Sequence, residues 1–83
     1  MARVYLTGDL ARRLAGGNTE LVTTARDVRG VVRAVEEQFP GFSEIYDSGA
    51  LAVVIDSAIY QEALFEEVGA DSEVYFMPAI RGG

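Results

Sequence analysis

The chain has 83 residues, of which 49% are apolar, which is enough for one modest hydrophobic core and too little for two. It contains no cysteine, histidine or lysine, which excludes disulfides, cysteine- or histidine-ligated metal centres, thiol nucleophiles, Schiff bases and Walker phosphate loops. The formal net charge of −6 disfavours nucleic acid as a partner and favours a basic protein surface.

The N-terminal third predicts two strands. ARVYLT, residues 2–7, alternates in character and places Val4 and Leu6 on one face. TELVTTA, residues 19–25, predicts the second strand, and a short helical turn at Leu10–Leu14 fits in the connection. The two strands are near enough in sequence to pair as a hairpin with a wide loop. MARVYLTGDLARR is too mixed for a signal peptide, and no run approaches the roughly 18 apolar residues of a membrane span. We therefore expect a cytoplasmic protein with no membrane partner.

The middle of the chain predicts one main helix. Its apolar residues recur at three- and four-residue spacing, at Val28, Val31, Val32, Val35 and Phe39. Asp27 is the expected N-cap, and Pro40 with Gly41 ends the helix. Arg26, Arg29 and Arg33, at three- and four-residue spacing, are expected to make surface salt bridges to Glu36 and Glu37.

The remaining segments predict a short turn at Phe42–Tyr46, a buried strand LAVVID at 51–56, a brief edge piece at 57–60 and a last strand EVYFM at 73–77, terminated by Pro78. One main helix packed on one face of a four- to five-stranded mixed sheet belongs to the α+β class and is the β-grasp arrangement. No repeat or interdomain linker interrupts the pattern.

The chain ends in FMPAIRGG, and the last two glycines add nothing to a strand or a helix. We therefore expect a folded domain over residues 1–78 and a flexible tail over residues 79–83. A glycine end has no Cβ, so it can thread a narrow channel and present the carboxylate of Gly83 as the reactive group. Glycines present by chance would instead leave an inert tail.

VYFMPAIRGG resembles the ending of the MoaD/ThiS sulfur-carrier family, whose members finish with a hydrophobic strand, a proline, a few linking residues and Gly-Gly. The order of ARVYLT, DVRGVVRAVEEQF, YDSG, LAVVID and EVYFMP is also similar, so the resemblance covers the whole chain. It implies a ubiquitin-like β-grasp fold and a role as a sulfur carrier. In that family an E1-like enzyme adenylates the terminal glycine with ATP, and sulfur then replaces AMP to give a thiocarboxylate.

By this resemblance Gly83 carries the sulfur and Gly82 lets it pass through the partner's channel. The resemblance also implies that the chain itself binds no cofactor and has no active site. Its partners are the adenylating enzyme and a sulfur-accepting synthase subunit, with the small subunit of molybdopterin synthase as the leading role. Carriers for thiazole or cysteine synthesis remain alternatives. Arg81 departs from the family, is typical of ubiquitin, and favours a second hypothesis, a protein modifier joined through Gly83.

A partner-binding face follows if the first and last strands lie side by side. Val74 and Phe76 then face the helix with the apolar residues of the first strand, while Tyr5, Tyr75 and Met77 point outward. The family's partner-contacting positions match Met77 and Ile59, and Ile80 in the tail has no core to enter. The alternative for the tyrosines is ordinary strand composition. A third hypothesis is a β-grasp interaction module with an inert tail.

Overall fold

A computed structural model of the chain describes residues 1–7, 12, 20–60 and 63–79. In chain order the elements are strands β1 (Ala2–Leu6) and β2 (Glu20–Thr23), helices α1 (Val28–Gln38) and α2 (Phe42–Asp47), and strands β3 (Leu51–Ile55), β4 (Ala58–Tyr60) and β5 (Glu73–Pro78). The predicted strands, the main helix and the short edge piece are confirmed. The helical turn predicted at Leu10–Leu14 lies outside the described residues apart from Arg12.

The five strands form one mixed sheet in the order β2-β1-β5-β3-β4. β1 pairs antiparallel with β2, which confirms the predicted hairpin, and parallel with β5. β3 is antiparallel to both β5 and β4. The last strand of the chain therefore lies at the centre of the sheet, beside the first strand, and the predicted four- to five-stranded mixed sheet is confirmed.

The core lies between the two helices and the inner face of this sheet. Val4, Leu6, Val74 and Phe76 of the two central strands are fully buried there, as predicted. The ring of Phe76 meets that of Phe42 edge to face, with centroids 4.9 Å apart. Because successive strand residues point to opposite faces, the residues between these core positions lie on the outer face of the sheet.

Helix α1 begins as the sequence predicts. Asp27 is the N-cap, and its Oδ1 accepts a hydrogen bond of 2.8 Å from the Gly30 amide. The amides of Val28 and Arg29 donate to carbonyl groups of the segment between β4 and β5, at 3.0 Å each. The first turn of the helix is therefore satisfied by one side chain and by a neighbouring loop.

The region after α1 differs from the prediction. Residues 42–47 form a six-residue helix rather than a short turn. Both oxygens of Glu36 accept from the Gly41 amide, the shorter contact being 3.0 Å, and Oε1 also accepts from the Ser43 amide at 2.8 Å. The prediction that Glu36 makes a surface salt bridge is therefore wrong, because its carboxylate is used to cap the start of α2.

The last strand is also longer than predicted. The prediction ended this strand at Met77, but β5 also includes Pro78, which lies opposite Leu51 of β3. Proline is compatible with this position because it stands at the end of the ladder, where a missing N–H costs little. The Ala79 amide still donates to the Ala50 carbonyl at 2.9 Å.

In the described ranges, no helix is long and apolar enough to cross a membrane.

Candidate partner-binding site

The outer face of the sheet carries one row of side chains that crosses four strands. Tyr5 lies opposite Tyr75, Tyr75 lies opposite Val54, and Val54 lies opposite Ile59. Adjacent strands are about 4.8 Å apart, so the row spans about 14 Å. Three of the predicted partner-binding residues, Tyr5, Tyr75 and Ile59, are thus brought together in one line.

The row is exposed to solvent to different degrees. Ile59 is 68% exposed and Tyr75 is 36% exposed, while Tyr5 and Val54 are half-buried. Val54 is a member of this face that the sequence reasoning missed. The run LAVVI gives no contrast between its two faces, so only the strand pairing shows that Val54 points away from the core.

The tyrosines form the centre of the face. The rings of Tyr5 and Tyr75 stack with centroids 4.6 Å apart and planes at 15°. Partial burial is the main cause that raises the pKa of Tyr5, and a hydrogen bond between its phenol and the Glu20 carboxylate raises this pKa further. The ring therefore stays uncharged at neutral pH, which suits contact with an apolar partner.

Polarity changes along the outer face. Two residues before the tyrosines on β1 and β5, Arg3 lies opposite Glu73, and both are exposed and charged. Two residues after Tyr75 on β5, Met77 lies opposite Ala52 of β3. Met77 is half-buried and belongs to the apolar end of the face. The apolar end is thus the end from which the chain continues past Pro78.

The predicted tail residues Ile80, Arg81, Gly82 and Gly83 lie outside the described residues, so their roles stay predictions. Ala79 precedes them, and its amide is bound to the Ala50 carbonyl. Ala79 therefore lies close to the apolar end of the outer face.

One acidic side chain, that of Asp56, has structural contacts of its own. Asp56 lies in the turn between β3 and β4, where its carboxylate accepts from the Ser72 hydroxyl at 2.7 Å and from the Glu73 amide at 3.0 Å. These bonds, the Glu73 amide first, lower the pKa of Asp56. Across the part of the chain that the structure describes, no group of three or more acidic side chains is placed to hold a metal ion.

Comparison with known proteins identifies relatives in structure only. No protein-family model matches the sequence, and no curated protein matches it. A chain of the crystal structure of the Amycolatopsis orientalis BexX/CysO complex is similar, with a TM-score of 0.79, 18% identity and coverage of 100% of both chains. The solution structure of small archaeal modifier protein 1 from Methanosarcina acetivorans gives 0.78 and 21% identity, covering 99% of this chain and 95% of that one.

The crystal structure of Mycobacterium tuberculosis CysO gives a TM-score of 0.79 with 14% identity, covering 96% of this chain and all of that one. Likeness at such low identity concerns the backbone arrangement. The fold is therefore the β-grasp, ubiquitin-like arrangement, as the sequence predicts.

Proposed function

We propose that this protein is a ubiquitin-like carrier whose Gly83 carboxylate is adenylated by a separate enzyme and then converted to a thiocarboxylate that donates sulfur. Molybdopterin synthesis is the first choice of acceptor pathway, on the resemblance of the C-terminal residues to the MoaD/ThiS family. The observation that carries the proposal is the Gly-Gly end, which follows a central strand flanked by an exposed apolar face.

The chemistry explains why such an end is useful. A carboxylate is a poor electrophile, and adenylation with release of pyrophosphate gives it AMP as a good leaving group. Sulfide attacks the acyl carbon, AMP leaves, and one oxygen of the carboxylate has been replaced by sulfur. The four residues after Ala79 can extend about 13 Å, which is enough to reach into a partner's catalytic pocket.

The partners supply what this sequence lacks. With no histidine, cysteine or lysine, the chain offers few groups for nucleotide activation, so we assign ATP binding to an E1-like adenylating enzyme. A sulfur-accepting synthase subunit is the second partner. The similarity to a chain of the BexX/CysO complex supports this view, since that structure contains a two-protein complex.

A second candidate function is a protein modifier joined through Gly83 to lysines of other proteins. It is favoured by Arg81, which is typical of ubiquitin, and by the similarity to small archaeal modifier protein 1. Without lysine the chain offers no side-chain amine on which a polymer of itself could grow. Trypsin cuts after Arg81, so conjugation leaves a Gly-Gly remnant on target lysines that proteome mass spectrometry detects.

The first function is tested by intact mass after incubation with ATP, a sulfide source and the adenylating enzyme of the source organism. The expected product is heavier by about 16 Da, since sulfur replaces oxygen. The matched control lacks Gly82 and Gly83 and should not gain mass. An unchanged mass with an enzyme that is active in pyrophosphate exchange contradicts the proposal. If the deletion variant also retains cellular function, the tail is inert and both carboxylate-based functions are wrong.

A further inference from the structure

Phe65 is an apolar side chain that the outer face does not explain. Its ring is 80% exposed, more than any other large apolar side chain in the described ranges. It lies in the connection between β4 and β5, in a turn that is closed by a hydrogen bond of 2.9 Å from the Glu66 amide to the Ala63 carbonyl. A single exposed apolar side chain is common on protein surfaces, so this ring indicates an interaction site only together with the hollow that lies beside it.

The turn that carries Phe65 is anchored on both sides. Ala63 before it and Val68 after it are buried in the core. The carbonyl groups of Leu64 and Glu66 accept from the first amides of α1, at 3.0 Å each. The Val68 amide donates to the Arg26 carbonyl at 2.8 Å. The backbone that carries the ring is therefore fixed in place, so a partner meets a preorganised turn.

Beside the ring lies an open hollow of about 530 Å³. The described residues that line it are Tyr46, Asp47, Gly49, Ala63, Leu64, Phe65 and Glu66. Most of these are apolar or small, and the charged groups among them are the carboxylates of Asp47 and Glu66. An apolar side chain with arginine or lysine next to it complements such a surface.

The position of the hollow connects it with the end of the chain. Gly49 lines the hollow, and the carbonyl of the next residue, Ala50, accepts from the amide of Ala79. Tyr46, also in the lining, packs edge to face on Phe76 from the inner side of the sheet, with centroids 6.0 Å apart. The hollow therefore lies on the helix side of the same sheet end whose outer side carries Met77.

We propose that Phe65 and this hollow, here called the Phe65 surface, are a second docking site for the enzyme that adenylates Gly83. The occupant is an apolar side chain of that enzyme flanked by arginine or lysine. Because the hollow and Met77 lie on opposite sides of the same sheet end, a partner that encloses this end contacts the outer face and the Phe65 surface together. The inference rests on the proposed function, because it assigns the partner by its action on Gly83.

The test compares Phe65→Ser, Glu66→Arg and a control, Val22→Ser, in pyrophosphate exchange with the adenylating enzyme. Val22 is 52% exposed and lies on edge strand β2 opposite Arg3, at the charged end of the outer face, whereas the hollow lies on the helix side of the sheet. We expect both Phe65→Ser and Glu66→Arg to raise the KM for the carrier roughly tenfold, with little change in kcat. Val22→Ser should leave both constants near those of the unchanged chain.

The outcomes separate the two proposals. If the unchanged chain supports exchange and Phe65→Ser has the same KM, the docking site is wrong and the proposed function stands. If the unchanged chain supports no exchange, both fall. The alternative occupant of the Phe65 surface is a second copy of this chain, which light scattering of the free protein tests. If the unchanged chain is a dimer and Phe65→Ser is a monomer, the Phe65 surface is a contact between two copies and the inference is wrong.

Discussion

Tyr5 and Tyr75 stack on the outer face of the sheet with their ring centroids 4.6 Å apart, as register partners on the parallel strands β1 and β5. The stack joins the first strand of the chain to the last. Because β5 leads directly to the C-terminal glycines, the side chains that define the candidate face also help to hold the strand that positions the chain end.

Replacement of Tyr75 tests the face itself. Tyr75→Ser removes a stacked ring, so we expect a loss of about 1–2 kcal/mol in the free energy of unfolding. It should also weaken binding to the adenylating enzyme roughly tenfold. Tyr5→Phe is the matched control, because it keeps the ring and removes only the phenol that bonds to Glu20. Urea unfolding and calorimetric titration measure the two effects, and an unchanged affinity for Tyr75→Ser contradicts the assignment of this face.

Ile59 separates binding from stability more cleanly. Its side chain is 68% exposed on edge strand β4, so Ile59→Ser should change the free energy of unfolding by less than about 0.5 kcal/mol. The same change should still weaken partner binding severalfold, since it removes one end of the apolar row. Val54→Thr retains the branched shape on the adjacent strand and serves for comparison. If Ile59→Ser binds the partner as tightly as the unchanged chain does, Ile59 is not part of the binding site.

The periodic elements could be predicted because each repeats a physical signal. Alternation in ARVYL identified Val4 and Leu6 as core residues, and the valine spacing with Asp27 located the start of α1. In LAVVI both faces are apolar, so the sequence could not indicate that Val54 points outward. That information lies in the register with Tyr75, which is a long-range property.

The features that the sequence did not predict, the loop contacts at the start of α1 and the helix α2 itself, both depend on hydrogen bonds to backbone groups. The carbonyls of Leu64 and Glu66 close the start of α1, but any residue type supplies a carbonyl, so no pattern in the sequence marks this role. The start of α2 was hidden for a related reason. Its capping group, Glu36, comes from the preceding helix, whereas sequence rules look for a cap just before the helix it serves.

Gly30 should resist the usual stabilising exchange to alanine. In most exposed helix positions glycine to alanine gains roughly 0.5–1 kcal/mol. Here a new Cβ lies 2.9 Å from Ala25 Cβ and 3.2 Å from Asp27 Oδ1. We therefore expect Gly30→Ala to destabilise the protein by about 1–2 kcal/mol in urea unfolding. In an Ala25→Gly background the cost should shrink, and equal costs in both backgrounds would show that this contact is not the cause.

The cap made by Glu36 predicts a dependence of stability on pH. Hydrogen bonds from the Ser43 and Gly41 amides lower the pKa of Glu36 below its ordinary value of 4.5. The stabilisation is therefore fully present above the unfolded pKa and is lost as the pH falls through the lower folded pKa. Glu36→Gln should lower the Tm at pH 7, with a difference that narrows below pH 4.5. The exposed neighbour Glu37 supplies the control: Glu37→Gln makes the same change of charge without removing the cap and should leave the Tm at pH 7 near that of the unchanged chain.

The turn between β3 and β4 offers a stabilising change. Asp56 and Ser57 form a two-residue hairpin loop, and both have positive φ, at 47° and 77°. This is the backbone of a type I′ turn, in which the second position favours glycine. Asp56 adopts this conformation, and its carboxylate accepts hydrogen bonds from Ser72 and Glu73. Among the hydrogen bonds of the described residues, none involves the Ser57 side chain, so no such contact offsets the strain of its positive φ. Ser57→Gly should therefore raise the free energy of unfolding by about 0.5–1 kcal/mol. Ser48→Gly, at a residue with φ of −71° whose hydroxyl donates to the Ile45 carbonyl at 2.7 Å, should instead destabilise, because it removes that bond and relieves no positive φ. If urea unfolding shows the same change for both variants, the gain does not come from relief of the turn.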